Sequence, residues 1–229
     1  MNTISIIIPT YNSHGKVISV IDQLKKINFR GVRKEIIVVD DASPDSTFKE
    51  LRKIKGITIF HHKKNIGKGG AVKTGLSHAK GNILFIQDDD LEYSPADIPQ
   101  IIEPILQNKA KVVFGSRRLN KKNLYSSPFF YYGGVLIDHI ISFILHSNTT
   151  DAITGSKAFT KEVYQSLLPI ESYGFEIEAE ITAKVIKNGF GLIEVPISYN
   201  PRSIEEGKNI RWHHAYPIIK TLIKYAWFS

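Results

Sequence analysis

Short runs of aliphatic and β-branched residues alternate with segments of helical spacing through the first half of the chain. Ile4 to Ile8, Glu35 to Val39, Ile57 to Phe60, Ile83 to Ile86 and Val112 to Phe114 are mostly apolar, a pattern that suits parallel strands covered on both faces. Between them, Lys16 to Ile27, Ser46 to Ile54, Lys68 to Ala79 and Ala96 to Leu106 repeat their apolar residues at helical intervals. Ser46 and Ser94 stand near plausible helix starts, and Pro95 suits a first turn. The order βαβαβαβαβ predicts an α/β fold, a Rossmann-like, doubly wound, open and mostly parallel sheet flanked by helices.

The second half is less regular. An aromatic and apolar stretch from Tyr125 to Leu145 leads to the segment Asp151 to Phe159, a helix-like stretch over Phe175 to Lys187, and a short strand over Leu192 to Val195. A basic loop from Asn200 to Arg211 precedes a last helix, Ala215 to Phe228, in which Ile218, Ile219, Leu222, Ile223 and Trp227 recur at helical spacing beside Lys220 and Lys224. With 229 residues and no low-complexity linker, one domain is expected, with 212–229 as an amphipathic basic helix of the same unit as 1–211. Phe129 to Leu145 is shorter than the about 20 residues a membrane span requires and carries Asp138 and His139 near its centre, so it is expected to lie on a membrane rather than cross it. The opening MNTISIIIPTYN has neither a basic region nor a long apolar run and reads as a buried strand, not a leader.

Charge narrows the partners without choosing among them. Thirty Lys and Arg against 22 Asp and Glu give +8, which favours a polyanionic partner such as phosphate, nucleic acid or anionic lipid. No motif for reading RNA or DNA accompanies it, so no nucleic-acid partner is expected. The absence of cysteine excludes a disulfide framework and a thiolate metal site.

Parallel sheets bind ligands at the carboxyl ends of their strands, so the polar residues that follow each strand are the candidates for chemistry. These are Pro9, Tyr11 and Asn12 after the first strand, Asp40 and Asp41 after the second, Asn65 to Gly70 after the third, and Asp88, Asp89 and Asp90 after the fourth. Adjacent carboxylates repel one another unless a cation is present, and their hard oxygens suit Mg²⁺ or Mn²⁺; the alternative for such a run is a solvated acidic loop. Alternation along an extended segment turns Asp88, Asp90 and Glu92 to one side and Asp89 away. Asp41 suits a nucleotide, whereas Ser43, Asp45 and Ser46 suit a helix cap. Gly67 and Lys68 bring backbone amides and an ammonium to a helix entry where a diphosphate could sit, although the spacing is neither that of a Walker A loop nor that of a dinucleotide fingerprint. Arg117 and Arg118 add guanidiniums, and the loop with Arg202, Lys208 and Arg211 is a second basic site or a solvated surface loop. All eight histidines read as structural or superficial.

SIIIPTYN, EIIVVDDASPDST, NIGKGGAVKTG, FIQDDDLEYSP, GSR, DAITGSKAF, FEIEAEI and EVPISYNPRSIEEGKNIRW occur in an order and spacing that resembles family 2 glycosyltransferases, within them the dolichyl- and polyprenyl-phosphate mannosyl- and glucosyltransferases. The resemblance implies a GT-A fold and an inverting, metal-dependent transferase, with a nucleotide diphosphate sugar as donor and a polyprenyl or dolichyl phosphate as acceptor. It places Pro9, Tyr11, Asn12 and Asp41 at the nucleoside and matches Asp88 and Asp90 to the outer carboxylates of a DXD motif, with Asp89 beside the donor. Glu92 falls where relatives often have a glutamine metal ligand. The resemblance also matches Arg117, Arg202 and Lys208 to phosphate-binding positions and Asp151 to a site near the sugar. It implies a protein held peripherally at the cytoplasmic face of a membrane, with Phe129 to Leu145 and the last helix in contact with it. The competing readings are a family 2 enzyme with a hydroxyl acceptor, which would need a carboxylate base, and a non-catalytic nucleotide-sugar binding module.

Overall fold

The computed structural model describes residues 1–29, 31–125, 128–202 and 215–227, the side chains of 128–130, 215 and 227 excepted. The strands are β1 (Thr3–Thr10), β2 (Arg33–Asp40), β3 (Thr58–His61), β4 (Ile83–Ile86), β5 (Val112–Ser116), β6 (Lys157–Thr160) and β7 (Leu192–Pro196). The helices are α1 (Lys16–Lys26), α2 (Thr47–Leu51), α3 (Lys68–His78), α4 (Ile98–Leu106), α5 (Pro128–Ile144), α6 (Lys161–Ser166), α7 (Ile177–Lys187) and α8 (Ala215–Trp227). A 3-10 turn over Pro95–Asp97 leads into α4, with the Ser94 hydroxyl accepting from the Ala96 amide as its cap.

The strands form one sheet in the order β3-β2-β1-β4-β6-β5-β7. Neighbours are parallel except that β6 runs antiparallel to both β4 and β5. The sheet is therefore mostly parallel, as the apolar runs require, but the fourth and fifth strands are not neighbours. β6, a strand absent from the hydrophobic pattern, is wedged between them.

Alternation along β1 divides the core. Ile4, Ile6 and Ile8 pack on one face with Val17, Val20, Ile21 and Leu24 of α1 and Ile98, Ile101, Ile102 and Ile105 of α4. Ile7, Ile37 and Val39 pack on the other with Ala71, Val72 and Leu76 of α3, Val163 of α6, and Ile177, Ile181 and Val185 of α7. Each such side chain taken from water contributes about 1.5–3 kcal/mol before chain entropy is charged against it.

A third cluster buries part of the last helix. Ile218, Leu222 and Tyr225 of α8 are buried against Ile141 of α5 and Ala179 and Ala183 of α7. Lys224 is paired with Glu171, to which Tyr225 also donates. Part of the apolar stripe of α8 is taken up by packing, Ile223 stays exposed, and Trp227 has a side chain outside the described residues. Exposed apolar side chains also stand on α5, where Tyr132, Leu136 and Phe143 are 68%, 62% and 81% accessible. Among the described residues, no helix is long and apolar enough to cross a membrane.

Candidate active site

Register aligns the strand ends that carry the site. Thr10 at the end of β1 pairs with Asp40 at the end of β2, and Ile7 pairs with Ile86 at the end of β4. The loops beyond these strands, together with the entry to α3, are tied to one another by polar contacts. Asp41, almost fully buried, accepts from the Ile66 amide at 3.0 Å, the Gly67 amide at 2.7 Å and the His62 ring at 2.7 Å; His62 in turn reaches Thr74 at 2.9 Å. The carboxylate expected to meet a nucleotide thus holds the loop that leads into α3. Gly67 is required there, because its φ of 89° is left-handed and an added Cβ would lie 3.2 Å from the Tyr173 carbonyl carbon.

Pro9, at the end of β1, is buried, while Tyr11 is 46% exposed. Asn12 has a φ of 53° and donates its amide to the Ser43 hydroxyl at 2.9 Å. Asp45 takes the amide of Thr47 at the start of α2, while Ser46, at the N-cap, donates its hydroxyl to Glu50 and makes no cap bond.

Beyond β4 the three aspartates each meet a different partner. Asp88 pairs with Lys68 at 2.7 Å, Asp89 accepts from Thr10 at 2.5 Å, and Asp90 pairs with Arg202 at 2.6 Å. Leu91 turns the chain back through a φ of 63°, and Glu92, nearly buried, accepts from the Arg202 amide at 3.1 Å and the Tyr199 hydroxyl at 3.1 Å, with the Arg202 Nε at 3.2 Å. Asp90 and Glu92 share one guanidinium while Asp89 faces Thr10, and Asp88, expected on the side of Asp90 and Glu92, pairs with Lys68 instead. Asp88, Asp90 and Glu92 do not converge, and the described residues contain no group of three such ligands spaced for an ion.

Among the described residues, carboxylates outnumber cations in this crevice: Asp88, Asp89, Asp90, Glu92 and Glu178 face Lys68, Lys157 and Arg202. Burial, then the neighbouring charge of Asp88, pushes the Asp89 carboxyl up to about 6 against the opposing bond from Thr10. Burial together with Asp88 and Glu92 pushes Asp90 up to about 7, against the pull of Arg202. Burial also raises Asp88 despite Lys68 beside it. Lys68 goes the other way: burial works to lower it, but Asp88 and Glu178 outweigh burial and hold the ammonium charged. A surplus of buried carboxylate with hard oxygen donors fits a divalent cation by charge and ligand type.

Arg117 and Asp151, expected to serve a phosphate and the sugar, are brought together as a buried ion pair. Arg117 gives Asp151 its Nε at 2.7 Å, its Nη2 at 2.6 Å and its backbone amide at 2.9 Å. Tyr93 and Tyr199 flank the guanidinium at 5.8 and 5.4 Å. Glu194 accepts the Asp151 amide at 2.9 Å and so fixes that residue's backbone. Lys208 lies outside the described residues.

Two residues at the site carried no role in the sequence reading. Glu178 of α7 joins Lys68 at 2.9 Å and Lys157 of β6 at 2.6 Å. The available signal was a carboxylate amid Ile177, Ala179 and Ile181 on a helix that has to cover the sheet.

The sequence profile of glycosyl transferase family 2 matches residues 5–168. A UDP-N-acetylglucosamine–dolichyl-phosphate N-acetylglucosaminyltransferase of Methanococcus voltae is 32% identical over 232 residues, covering 90% of each chain. A dolichol-phosphate mannosyltransferase of Pyrococcus furiosus is 29% identical over 213 residues, covering 90% of this chain and 58% of that one. Among solved structures, glucosyl-3-phosphoglycerate synthase of Mycobacterium tuberculosis, in complex with Mn²⁺, UDP-glucose and phosphoglyceric acid, superposes with a TM-score of 0.74. It is 20% identical, with 98% of this chain and 80% of that one covered, a likeness in fold.

Proposed function

Because the chain belongs to glycosyl transferase family 2, we propose that it moves a hexose from a nucleotide diphosphate sugar, of the GDP-mannose or UDP-glucose type, to a polyprenyl or dolichyl phosphate with inversion at the anomeric carbon. The observation that carries this reading is the acidic run at the end of β4 with Lys68 drawn onto one end and Arg202 onto the other. The relatives named for lipid-phosphate acceptors support the acceptor class.

A phosphate monoester is largely ionised near neutral pH, so its oxygen can attack without a strong general base. The work left to the protein is to bring two anions together and to stabilise the departing diphosphate. Lys68, charged and beside Asp88, would meet the donor diphosphate, and Gly67 gives its backbone a close approach. Pro9, Tyr11, Asn12 and Asp41 would border the nucleoside. Mg²⁺ or Mn²⁺ would be held by Asp88 and Asp90, and by Glu92 once Arg202 leaves it; such an ion supplies electrostatic stabilisation of the leaving group. Arg202, released from Asp90 and Glu92, and Lys208 would then be free for the acceptor phosphate. Arg117 and Asp151 support the crevice as a pair, holding the end of β5 to the segment that precedes β6.

The exposed face of α5, with Tyr132, Leu136 and Phe143, would rest on the cytoplasmic membrane surface, where a lipid acceptor resides. The acceptor assignment is tested by replacing Arg202 with Ala and measuring donor binding by calorimetry beside acceptor kinetics. The reading requires the acceptor's apparent KM to rise or turnover to fall while donor affinity holds. Lost donor binding with normal acceptor kinetics would move Arg202 to the donor.

A further inference from the structure

Four charged side chains run in a line from the interior of the sheet to the crevice. Lys157, fully buried on β6, donates to the Thr154 carbonyl and pairs with Glu178 Oε2 at 2.6 Å. The other oxygen of Glu178 lies 2.9 Å from Lys68 Nζ, and Lys68 in turn lies 2.7 Å from Asp88 Oδ1. The line draws on β6, α7, the first residue of α3 and the end of β4.

Packing alone does not account for Lys157 and Glu178. A buried ion pair loses hydration that its own attraction repays only in part, and apolar residues of similar volume would stabilise this place as well or better. The Lys157 ammonium also lies 4.8 Å from the centre of the Phe114 ring, amid the hydrophobic core. What the pair does provide is a fixed anion at the inner side of Lys68. Burial works to raise the Glu178 carboxyl, but Lys157 and then Lys68 outweigh it and keep it ionised.

Lys68 therefore stands between two carboxylates with different freedom. Asp88 sits on a loop at the mouth of the crevice, whereas Glu178 sits on a helix and is pinned from behind by Lys157. Building on the metal-dependent reading above, we propose that Glu178, fixed by Lys157, is a positioning residue. It retains Lys68 when the Asp88 oxygens turn to a divalent cation, so that the ammonium remains in the crevice for the donor diphosphate. Without that second anchor, the ammonium would have Asp88 as its one strong partner and would compete with the cation for it.

The test follows Mn²⁺ uptake, through loss of the free-ion electron paramagnetic resonance signal, by the full chain in the presence of UDP or of GDP. Glu178→Gln keeps the side chain's shape and removes its charge, and should weaken Mn²⁺ affinity roughly tenfold or more, the size seen when a residue that supports a metal ligand is lost. Lys157→Arg should retain affinity near that of the parent protein. Lys157→Met alone would leave Glu178 buried without its inner cation and could fail to fold, so the double variant Lys157→Met/Glu178→Gln serves as the variant that removes both charges together. It should melt close to the parent protein and show the same loss of Mn²⁺ affinity. A folded double variant with parental Mn²⁺ affinity would overturn the inference and leave the pair a structural feature only. Failure of the parent protein to take up Mn²⁺ with either nucleotide would overturn the metal-dependent reading itself, and this inference with it.

Discussion

Replacing Arg117 with Met tests whether this guanidinium anchors the fold or faces a ligand. Asp151 is wholly inaccessible, and among the described residues three donors reach its carboxylate, all from Arg117. Methionine keeps the backbone donor and much of the side-chain volume, but it strands a buried carboxylate without its countercharge. Breaking such a pair costs about 3–5 kcal/mol, a large part of the roughly 5–15 kcal/mol that holds a domain together. With a urea slope of about 3 kcal/mol/M for a chain of this size, the midpoint should fall by about 1–2 M. The deficit has a pH signature. Burial works to raise the Asp151 carboxyl, but Arg117 outweighs it and holds the group below its ordinary value. A depressed carboxylate stabilises the fold above its unfolded value of about 3.9, and that stability is lost as pH falls through the folded value. In the variant burial is opposed only by the retained backbone amide and the weaker pull of Arg118, so Asp151 carries a penalty once it ionises. The gap between variant and parent should be full at pH 7 and narrow below about pH 4. Urea melts monitored by circular dichroism at both pH values measure this, and Arg117→Met/Asp151→Asn should recover most of the loss. An Arg117→Met protein of parental stability that has lost nucleotide binding would refute the anchoring role.

Other expectations follow from single contacts. Asp90→Asn should abolish transfer while leaving the circular dichroism spectrum and melting temperature near those of the parent; full activity in EDTA would contradict the metal role behind it. A Cβ on Gly155 would lie 2.8 Å from the Asp88 carboxyl carbon, so Gly155→Ala should displace that carboxylate and lower turnover about a hundredfold without removing an acidic group. Parental kinetics would show that the Asp88 position seen here is not the one used. Leu136→Glu and Phe143→Glu on α5 should reduce sedimentation with anionic liposomes at little cost in stability, whereas Lys224→Ala, which removes a partner of Glu171, should leave sedimentation unchanged. The reverse ranking would return the membrane face to α8.

The parts of the fold that could be read in the chain are those in which one residue pattern has one physical solution. β4 is apolar throughout and β1 and β2 carry apolar runs, Ile6 to Ile8 and Ile36 to Val39, because both faces are covered there, and their register then places Thr10, Asp41 and the acidic run at one end of the sheet. β6 escaped because KAFT is too short to show a period and opens on a lysine, whose charge becomes tolerable inside a sheet through Glu178 on a later helix. The stripe on α8 was visible, but periodicity identifies an apolar face and not what covers it; α5 and α7 cover Ile218 and Leu222 here and leave Ile223 exposed. Arg117 and Asp151 were recognised as charged groups near the site, yet residue type cannot say that each satisfies the other. Arg202 shows the same limit, since its present partners, Asp90 and Glu92, lie more than a hundred positions earlier.

The central claim, transfer of a sugar onto a lipid phosphate, is tested most directly by incubating the full chain with labelled GDP-mannose, UDP-glucose or UDP-N-acetylglucosamine, a polyprenyl phosphate, and Mg²⁺ or Mn²⁺. The products are extracted into organic solvent. The account predicts a labelled glycosyl phosphoryl lipid with inverted anomeric configuration, formed from one of these donors, abolished by EDTA and absent when the polyprenyl phosphate is replaced by the free polyprenol. Transfer to the free polyprenol at an equal rate, or no lipid-linked label from any of the donors, would contradict it.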